Sequence, residues 1–220
     1  MARFVVVTGT DTGVGKTFVA EALARALAKE RPTLAIKPFE SGAADGESDA
    51  ARLAAATGQE APREALVRLR EPLAPAMAAD REGVTLDFDR LVEALRAYGE
   101  RADVVLVEGA GGVLSPLTWE HDARDLAAAL AARVVLVASD RLGTLSATHA
   151  AFDALARAGR APAAIVLSAP ALADASTGAN AAALRRRLPP TAPAAIVVPR
   201  TTAFEASFGL TFLARELAGI

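Results

Sequence analysis

The stretch that decides the fold is GTDTGVGKT, residues 9–17. The usual phosphate-binding loop reads G-x-x-x-x-G-K-[S/T], which places its first glycine at position 10. This chain has Thr10 there, and its glycine stands one residue earlier, at Gly9. An apolar run over residues 4–8 predicts a strand before the loop, and an Ala- and Leu-rich run over residues 16–30 predicts a helix after it. Because a phosphate loop requires this strand, turn and helix, we interpret the stretch as a variant of it.

Such a loop holds phosphate mainly through its backbone. The N–H groups of the glycine-rich turn and of the helix N-terminus contact phosphate oxygens. Lys16 would reach the β- and γ-phosphates, and the Thr17 hydroxyl would be a magnesium ligand. We therefore predict that the chain binds a nucleoside triphosphate together with magnesium.

The composition is that of a globular protein. The chain has 220 residues, of which 52% are hydrophobic and 23% charged, and its net charge is −2. The length favours a single domain that spans residues 1–220. The small net charge does not indicate binding to nucleic acid or to an anionic membrane, so we expect small-molecule partners. The chain has no cysteine, which excludes disulfides, thiolate zinc sites and cysteine nucleophiles. Residues 1–10 predict a strand rather than a signal peptide, and we expect a cytoplasmic protein.

Short β-branched runs alternate with longer amphipathic stretches, which predicts an α/β fold. Further strands are predicted at residues 33–37, 104–107, 133–138, 163–167 and 195–198. Further helices are predicted at residues 49–57, 87–101, 122–131, 146–158, 178–188 and 207–218. Most strands are continuous apolar runs, so we expect a single-domain, P-loop NTPase-like fold with a mostly parallel central sheet and helices on both faces. Residues 38–48 and 61–86 are expected to form loops or short elements.

Lysine is rare in this chain, which has 21 arginines but only Lys16, Lys29 and Lys37. A retained lysine suggests a role that the planar, bulkier guanidinium cannot fill. Lys37 ends the predicted second strand, at the sheet edge that also carries the phosphate loop. From the residues alone, it is either part of the site or a solvated lysine at a strand end.

Two carboxylates are predicted at the same edge. Residues 103–108, DVVLVE, predict a buried strand that ends in Glu108 and is followed by glycine-rich residues 109–112. A carboxylate in this position holds magnesium or its water shell in many phosphoryl-transfer enzymes. The glycines allow the backbone to approach a ligand closely. For Asp49, next to Ser48, the residues alone favour a helix-capping role.

The turn over residues 141–146 also joins a strand to a helix. Its N–H groups could receive an anion such as a substrate carboxylate, although Ser146 could equally be only a helix cap. His121 and His149 are too far apart in sequence to suggest a metal site, and we interpret them as packing or surface residues. We assign no function to the arginine run at residues 185–187.

Several stretches together resemble the dethiobiotin synthetase family. They are VTGTDTGVGKT at 7–17, KPFESG at 37–42, SDA at 48–50, EPLAPAMAA at 71–79, VEGAGGVLSPLT at 107–118 and RLGTLSATH at 141–149. They occur in order along the whole chain. The loop with its displaced glycine and the VEGAGG stretch are the most specific of them.

The resemblance implies an ATP- and magnesium-dependent ligase of biotin synthesis. In its reaction, CO2 carbamoylates 7,8-diaminononanoate, a carbamate oxygen takes the γ-phosphoryl group, and the second amine closes the ureido ring with release of phosphate. Lys37 matches the family's active-site lysine, and Lys16 and Lys37 would stabilise the carbamate and the transferring phosphoryl group. Thr17, Asp49 and Glu108 match magnesium positions, which replaces the capping role for Asp49.

The resemblance also implies the remaining binding residues and a homodimer. The residues expected to contact ATP, besides Lys16 and the magnesium positions, are Thr12, Gly13, Val14, Gly15, Phe18, Gly109, Ala110, Gly111, Ser168, Pro199 and Glu205. Those expected to contact the diaminononanoate are Thr10, Ser41, Gly143, Thr144 and Ser146. In this family the 143–146 region binds the substrate carboxylate at a homodimer interface.

Three positions depart from the family pattern. Many members carry an Asn-Asp pair whose asparagine binds adenine, where this chain has Ser168-Ala169. We therefore expect a relaxed preference for the nucleotide base. Gly13 stands where some members have an acid, and Glu205 matches a nearby acid only with a shifted spacing.

Two other classes of protein have a similar loop. Partition- and Min-type ATPases need a second lysine early in the loop, where this chain has Asp11, and the sequence shows no basic patch or amphipathic terminal membrane helix. A synthetase of the amidotransferase type, acting on corrin-like acids, needs a cysteine nucleophile in its glutaminase half. The sequence therefore favours the ring-closing ligase.

Overall fold

A computed structural model describes residues 2–42 and 48–220 of the chain. Its strands are β1 (Arg3–Gly9), β2 (Thr33–Ile36), β3 (Phe39–Ser41), β4 (Val67–Leu69), β5 (Val104–Glu108), β6 (Arg133–Ser139), β7 (Ala164–Ser168) and β8 (Ala195–Val198). Its helices are α1 (Lys16–Glu30), α2 (Asp49–Thr57), α3 (Pro75–Glu82), α4 (Phe88–Tyr98), α5 (Ala123–Ala129), α6 (Thr144–Arg157), α7 (Asn180–Arg187), α8 (Ala203–Gly209) and α9 (Thr211–Ala218). In these two ranges, no helix is long and apolar enough to cross a bilayer.

The central sheet has the strand order β2-β5-β1-β6-β7-β8, and all of its pairings are parallel. In the middle of the sheet, Val7 of β1 pairs with Glu108 of β5 and Val135 of β6. Because the strands run in one direction, their carboxyl ends meet at a single edge, where ligands bind in folds of this kind. The predicted parallel α/β fold is confirmed.

Each face of the sheet buries its own core. On one face α1, α2, α8 and α9 pack over residues such as Val5 and Val7. On the other face α4, α5, α6 and α7 pack over Val6 and its neighbours. The three valines alternate between faces because successive side chains of a strand point in opposite directions. Burial on both faces explains why the strands are continuous apolar runs.

The segments expected to contain short elements form a small unit beside the site. β3 and β4 pair in parallel in a separate two-stranded sheet. Leu69, Ala78 and Ala79 form a small core that ties α3 to this sheet. The unit holds Glu40 and Ser41 of β3 close to the carboxyl edge of the main sheet.

The C-terminal helix differs from its prediction over residues 207–218. The structure has two helices, because Thr202 and Glu205 form a capping box that starts α8 at Ala203. That helix ends at Gly209, and α9 begins at Thr211. The signal for the earlier start is a Thr followed three residues later by Glu, which satisfies two N–H groups at a helix start.

The only two amide side chains of the sequence are both buried. Gln59 accepts a hydrogen bond from the N–H of Ala35 at 2.8 Å and donates one to the Ala35 carbonyl at 3.2 Å. Asn180 donates to Asp140 Oδ1 at 2.7 Å. Gln59 thereby fixes β2 two residues before Lys37, and Asn180 fixes the start of α7 to the end of β6.

Candidate active site

The loop between β1 and α1 leaves the N-terminus of α1 available for an anion. Gly15 is the N-cap residue, with a left-handed φ of 94°, and among the described residues no side chain caps this helix. The first turn of α1 carries no acidic residue, so the positive end of its dipole is not neutralised locally. Unpaired N–H groups at such a helix start are the usual ligands of phosphate.

The displaced glycine of the loop has a steric explanation. A Cβ atom at Gly9 would lie 2.8 Å from Cγ2 of Val14 and 3.1 Å from Cδ of Lys16. At the next position, the N–H of Thr10 donates to the carbonyl of Val137 at 2.9 Å, which ties the loop to β6. The loop therefore needs a glycine at position 9, one residue earlier than in the usual pattern.

Lys16 folds back over the loop. Its Nζ donates to the carbonyl oxygen of Asp11 at 2.8 Å, and the side chain is almost fully buried. Burial, together with the nearby charge of Lys37, lowers the pKa of Lys16 to about 8. The ammonium is therefore mostly charged at neutral pH, and a phosphate in the loop would supply a counter-charge.

A buried cluster of charges lies beside the loop. Lys37 Nζ is 2.6 Å from Glu108 Oε1 and 3.1 Å from Asp49 Oδ2. The Thr17 hydroxyl donates to the same Glu108 oxygen at 2.7 Å. Glu108 is fully buried and Lys37 is 6% exposed. Residues from α1, α2, β5 and the end of β2 thus meet at one point, and Lys37 is not the solvated lysine that the sequence left open.

Lys37 remains an ammonium ion in this cluster. Burial alone would lower its pKa, but the attraction of Glu108 and Asp49 and the hydrogen bonds that they accept outweigh burial and raise the pKa of Lys37. The side chain can therefore supply positive charge, and it is not suited to take up a proton.

The oxygen atoms of the cluster fit magnesium. The Thr17 hydroxyl and the carboxylates of Asp49 and Glu108 are hard oxygen ligands. Glu108 Oε2 is buried and has no hydrogen-bond partner in residues 2–42 and 48–220, a costly arrangement that a cation would relieve. The same ranges contain no group of three His, Cys, Asp or Glu side chains suited to a metal. One hydroxyl and two carboxylates would leave the remaining magnesium positions to water or phosphate oxygens, as is usual for this metal.

Ser48, and not Asp49, caps α2. The Ser48 hydroxyl accepts a hydrogen bond from the N–H of Ala51 at 3.0 Å, and Asp49 is the first helical residue. The capping role that the residues alone favoured for Asp49 is therefore wrong. Its carboxylate contacts Lys37 instead.

A cavity of about 680 Å³ lies over the charge cluster, and we call it the first cavity. Twelve of the predicted site residues line it: Thr12, Gly13, Gly15, Lys16, Thr17, Phe18, Lys37, Ser41, Asp49, Glu108, Ala110 and Gly111. Two others, Thr10 and Gly109, do not line it. Their N–H groups donate to carbonyls of β6 and β1, which fixes the loops that carry the cavity residues.

A second cavity, of about 750 Å³, meets the first at the glycine-rich loop. Both have volumes typical of small-molecule sites. The predicted residues Val14, Ser168 and Pro199 line the second cavity. Residues common to both cavities are Thr12, Gly13, Gly15 and Phe18. The two cavities therefore adjoin each other along the loop.

Glu205 lies in a smaller cavity of about 290 Å³ that also contacts Pro199. Its carboxylate accepts hydrogen bonds from the Thr201 hydroxyl and from the hydroxyl and N–H of Thr202. These bonds, the Thr201 bond foremost, lower the pKa of Glu205 to about 2. The structure shows Glu205 as a cap of α8, and its contact with a nucleotide base stays a prediction.

Of the turn predicted to bind a substrate carboxylate, Arg141 lines the second cavity, whereas Gly143, Thr144 and Ser146 line neither cavity. Gly143 is the N-cap of α6, with φ 93°, and Thr144 is the first helical residue. Ser146 therefore lies inside the helix and is not its cap. It lines a separate groove of about 950 Å³ between α6 and α7.

Sequence reasoning missed several cavity residues. Glu40 and Arg52 line the first cavity, and Arg200 lines the second. Arg52 is held away from the charge cluster by Glu21, at 2.9 Å. The available signal for Glu40 was its place in the KPFESG stretch, between Lys37 and Ser41.

Comparisons with known proteins agree on the fold and differ in how much they say about function. A family model described as an AAA domain matches residues 3–214. A curated ATP-dependent dethiobiotin synthetase BioD of Anaeromyxobacter dehalogenans strain 2CP-1 is 49% identical over 170 residues, which are 76% of each chain. The protein of that name from Corynebacterium glutamicum is 39% identical over 158 residues, 71% of this chain and 70% of the relative.

Solved structures show a similar fold at much lower identity. The MinC:MinD cell division protein complex of Aquifex aeolicus matches with a TM-score of 0.59 and 16% identity, covering all of this chain and 96% of the matched chain. At that identity the likeness concerns the fold alone, and the sequence relatives carry the information on activity.

Proposed function

Because this chain belongs to the dethiobiotin synthetase family, an ATP-dependent ligase family of biotin synthesis, we propose that its first cavity is where the ureido ring closes. The reactants would be 7,8-diaminononanoate, CO2 and ATP, and the products dethiobiotin, ADP and phosphate. The observation that carries this assignment is Lys37, a buried ammonium held between Glu108 and Asp49 next to the phosphate loop.

The two lysines would stabilise negative charge during phosphoryl transfer. Transfer of a phosphoryl group to a carbamate brings several negative oxygens together, and fixed positive groups stabilise that arrangement. Lys37 is held charged by its carboxylate neighbours, and Lys16 lies at the start of α1. We infer that Lys16 contacts the β- and γ-phosphates and Lys37 the carbamate and the transferring group.

The magnesium ligands would be Thr17, Asp49 and Glu108. Bound there, magnesium would neutralise charge on the phosphates of ATP. The absence of a hydrogen-bond partner for Glu108 Oε2 among the described residues supports this assignment. The protein's own contribution is to hold these three groups together at the end of β5 and the starts of α1 and α2.

Labelled bicarbonate tests the proposed function directly. Incubation with the diamine, ATP and magnesium should give dethiobiotin whose mass increases by one labelled carbon. ATP hydrolysis should depend on both the diamine and bicarbonate. Hydrolysis stimulated instead by DNA or lipid vesicles would favour the partition- and Min-type ATPases, which share the fold.

The nucleotide preference should be broad. The second cavity extends from the loop to Ser168 and Pro199, where the base would lie. Both amide side chains of the sequence are engaged elsewhere, so no side-chain amide is available to bind adenine through paired donor and acceptor groups. CTP or GTP should therefore support the reaction within about tenfold of ATP, about 1.4 kcal/mol. Side-by-side turnover measurements would contradict this if ATP were strongly preferred.

Nucleotide binding should weaken as the pH rises through about 8. The pKa of Lys16 is lowered to about 8 by burial and by Lys37, so the free enzyme loses this positive charge above that pH. If the charged form is needed, affinity for MgADP should fall about tenfold between pH 7 and pH 9. Calorimetry at several pH values measures this, and Lys16→Ala should remove the dependence. A wild-type affinity that does not change over this range would contradict the role of Lys16.

We also propose that two copies of the chain complete the site. Gly143, Thr144 and Ser146 line neither cavity of their own chain, and the resemblance assigns them the substrate carboxylate. A partner's turn would then supply that contact. Sedimentation analysis should give about twice the 22.6 kDa chain mass, and a monomer at assay concentrations would contradict the proposal.

A further inference from the structure

Glu40 is a buried carboxylate in the first cavity for which the family resemblance supplies no role. It is the middle residue of β3, is 8% exposed and lines the cavity with Lys37 and Ser41. One carboxylate oxygen has a structural use, since Oε1 accepts a hydrogen bond from the N–H of Asp49 at 2.5 Å. This bond fixes the start of α2.

The other oxygen of Glu40 is unsatisfied. Oε2 is buried and has no hydrogen-bond partner within the described ranges 2–42 and 48–220. The cationic side chains of the cavity are directed elsewhere: Lys16 to the Asp11 carbonyl, Lys37 to Glu108 and Asp49, and Arg52 to Glu21. Burial of a carboxylate oxygen without a partner is costly, and a cation in the cavity would remove this cost.

Two residues that line the cavity at different places thus each have a buried carboxylate oxygen with no partner among the described residues. Glu108 Oε2 lies at the end of β5, beside Thr17 and the phosphate loop, where magnesium is expected. Glu40 is followed in β3 by Ser41, which also lines the cavity and whose hydroxyl is likewise buried and unpartnered among the described residues. A ligand with several N–H donors and a positive charge fits this second place.

We propose that Glu40 binds an ammonium group of the diamine, with Ser41 as a further hydrogen-bond partner. The inference rests on the proposed function, because among its organic reactants only the diamine carries alkyl ammonium groups. An ammonium has three donors, and hydrogen bonds between it and a carboxylate are charge-assisted. Glu40 is then a residue that determines substrate affinity.

The test separates this role from the contact with Asp49. Glu40→Gln keeps an oxygen acceptor for the Asp49 N–H but removes the negative charge. Diamine binding, measured by calorimetry without nucleotide, should weaken about tenfold, because a charge-assisted hydrogen bond becomes a neutral one. In the steady state the KM for the diamine should rise about tenfold, while the KM for ATP and the magnesium midpoint stay at wild-type values.

Two further variants serve as controls. Glu60→Gln removes the same charge from an exposed position and should behave as wild type. Glu40→Asp keeps the charge on a shorter side chain and should retain more affinity for the diamine than Glu40→Gln does. Thermal unfolding of each variant shows whether the contact with α2 survives, and Glu40→Asp provides the comparison if Glu40→Gln does not fold.

Different results would contradict the inference about Glu40 and the proposed function. Unchanged diamine affinity in Glu40→Gln would overturn the inference, as would equal increases in the KM for ATP and in the magnesium midpoint, which would place Glu40 with the metal. If the wild-type protein formed no dethiobiotin, the proposed function itself would fail, whatever the variants showed.

Discussion

Lys37→Ala is expected to reduce dethiobiotin formation by about 10²- to 10³-fold, the range found when one preorganised charge-stabilising donor is removed from an active site. Lys37 is buried, held charged by Glu108 and Asp49, and lines the first cavity. In the proposed reaction it contacts the carbamate and the transferring phosphoryl group, where negative charge accumulates. The loss should be mainly in kcat, since nucleotide binding depends on the loop and Lys16.

The same substitution should also lower stability. Without Lys37, the buried carboxylate of Glu108 keeps the Thr17 hydroxyl as a hydrogen-bond donor but loses its counter-charge. Removing one member of a buried ion pair costs about 3–5 kcal/mol. We expect a folded protein with a lower free energy of unfolding, measured with urea, and a normal circular dichroism spectrum.

Lys29→Ala is the matched control for Lys37→Ala. Lys29 is the third lysine of the chain, is exposed and lies over the ring of Phe208, in the last turn of α1 and so at the opposite end of that helix from Lys16 and Thr17. It should retain wild-type turnover. Near wild-type turnover in folded Lys37→Ala would remove Lys37 from the mechanism.

Glu108→Gln should reduce kcat/KM by about 10²-fold, equivalent to about 2.7 kcal/mol. Gln keeps an oxygen acceptor for Thr17 but removes the charge that faces Lys37 and that would face magnesium. Both losses should lower activity, because Glu108 contributes more than Asp49 to raising the pKa of Lys37. Asp49 remains to pair with Lys37, so the fold should persist.

A shift in the magnesium requirement distinguishes Glu108→Gln from Lys37→Ala. The magnesium midpoint should rise in Glu108→Gln, and added magnesium should recover part of its activity. Glu100→Gln, at an exposed position in the loop after α4, is the control and should not shift the midpoint. Equal magnesium midpoints in Glu108→Gln and the wild type would exclude Glu108 as a ligand.

The meeting of Lys16, Lys37 and Glu108 could be predicted from the sequence. Each follows or ends a strand that reads as buried and parallel, and such strands end at the same edge of a sheet. The variant loop could also be recognised, although the reason for Gly9 needed the structure, since Val14 and Lys16 approach it from further along the chain.

Other parts of the site depend on contacts distant in sequence. Glu40 lies in a three-residue strand whose partner, β4, begins 26 residues after β3 ends, and nothing local predicts that pairing. Ser48 and Asp49 are adjacent, and a sequence pattern cannot locate the start of a helix to within one residue. Thr202 and Glu205 are a local sign that α8 starts early. The prediction followed the longer apolar pattern of α9 instead.

The two buried amides have a consequence for the chemical ageing of the protein. Asparagine and glutamine side chains are thermolabile, and proteins of hot environments contain few of them. Here Gln59 and Asn180 are the only amide side chains of the sequence, and they are 8% and 4% exposed. Both the oxygen and the nitrogen of the Gln59 amide are hydrogen-bonded, and the Asn180 amide donates to a buried carboxylate. While the chain is folded, deamidation has no exposed target, so prolonged heating below the unfolding transition should leave its isoelectric point unchanged.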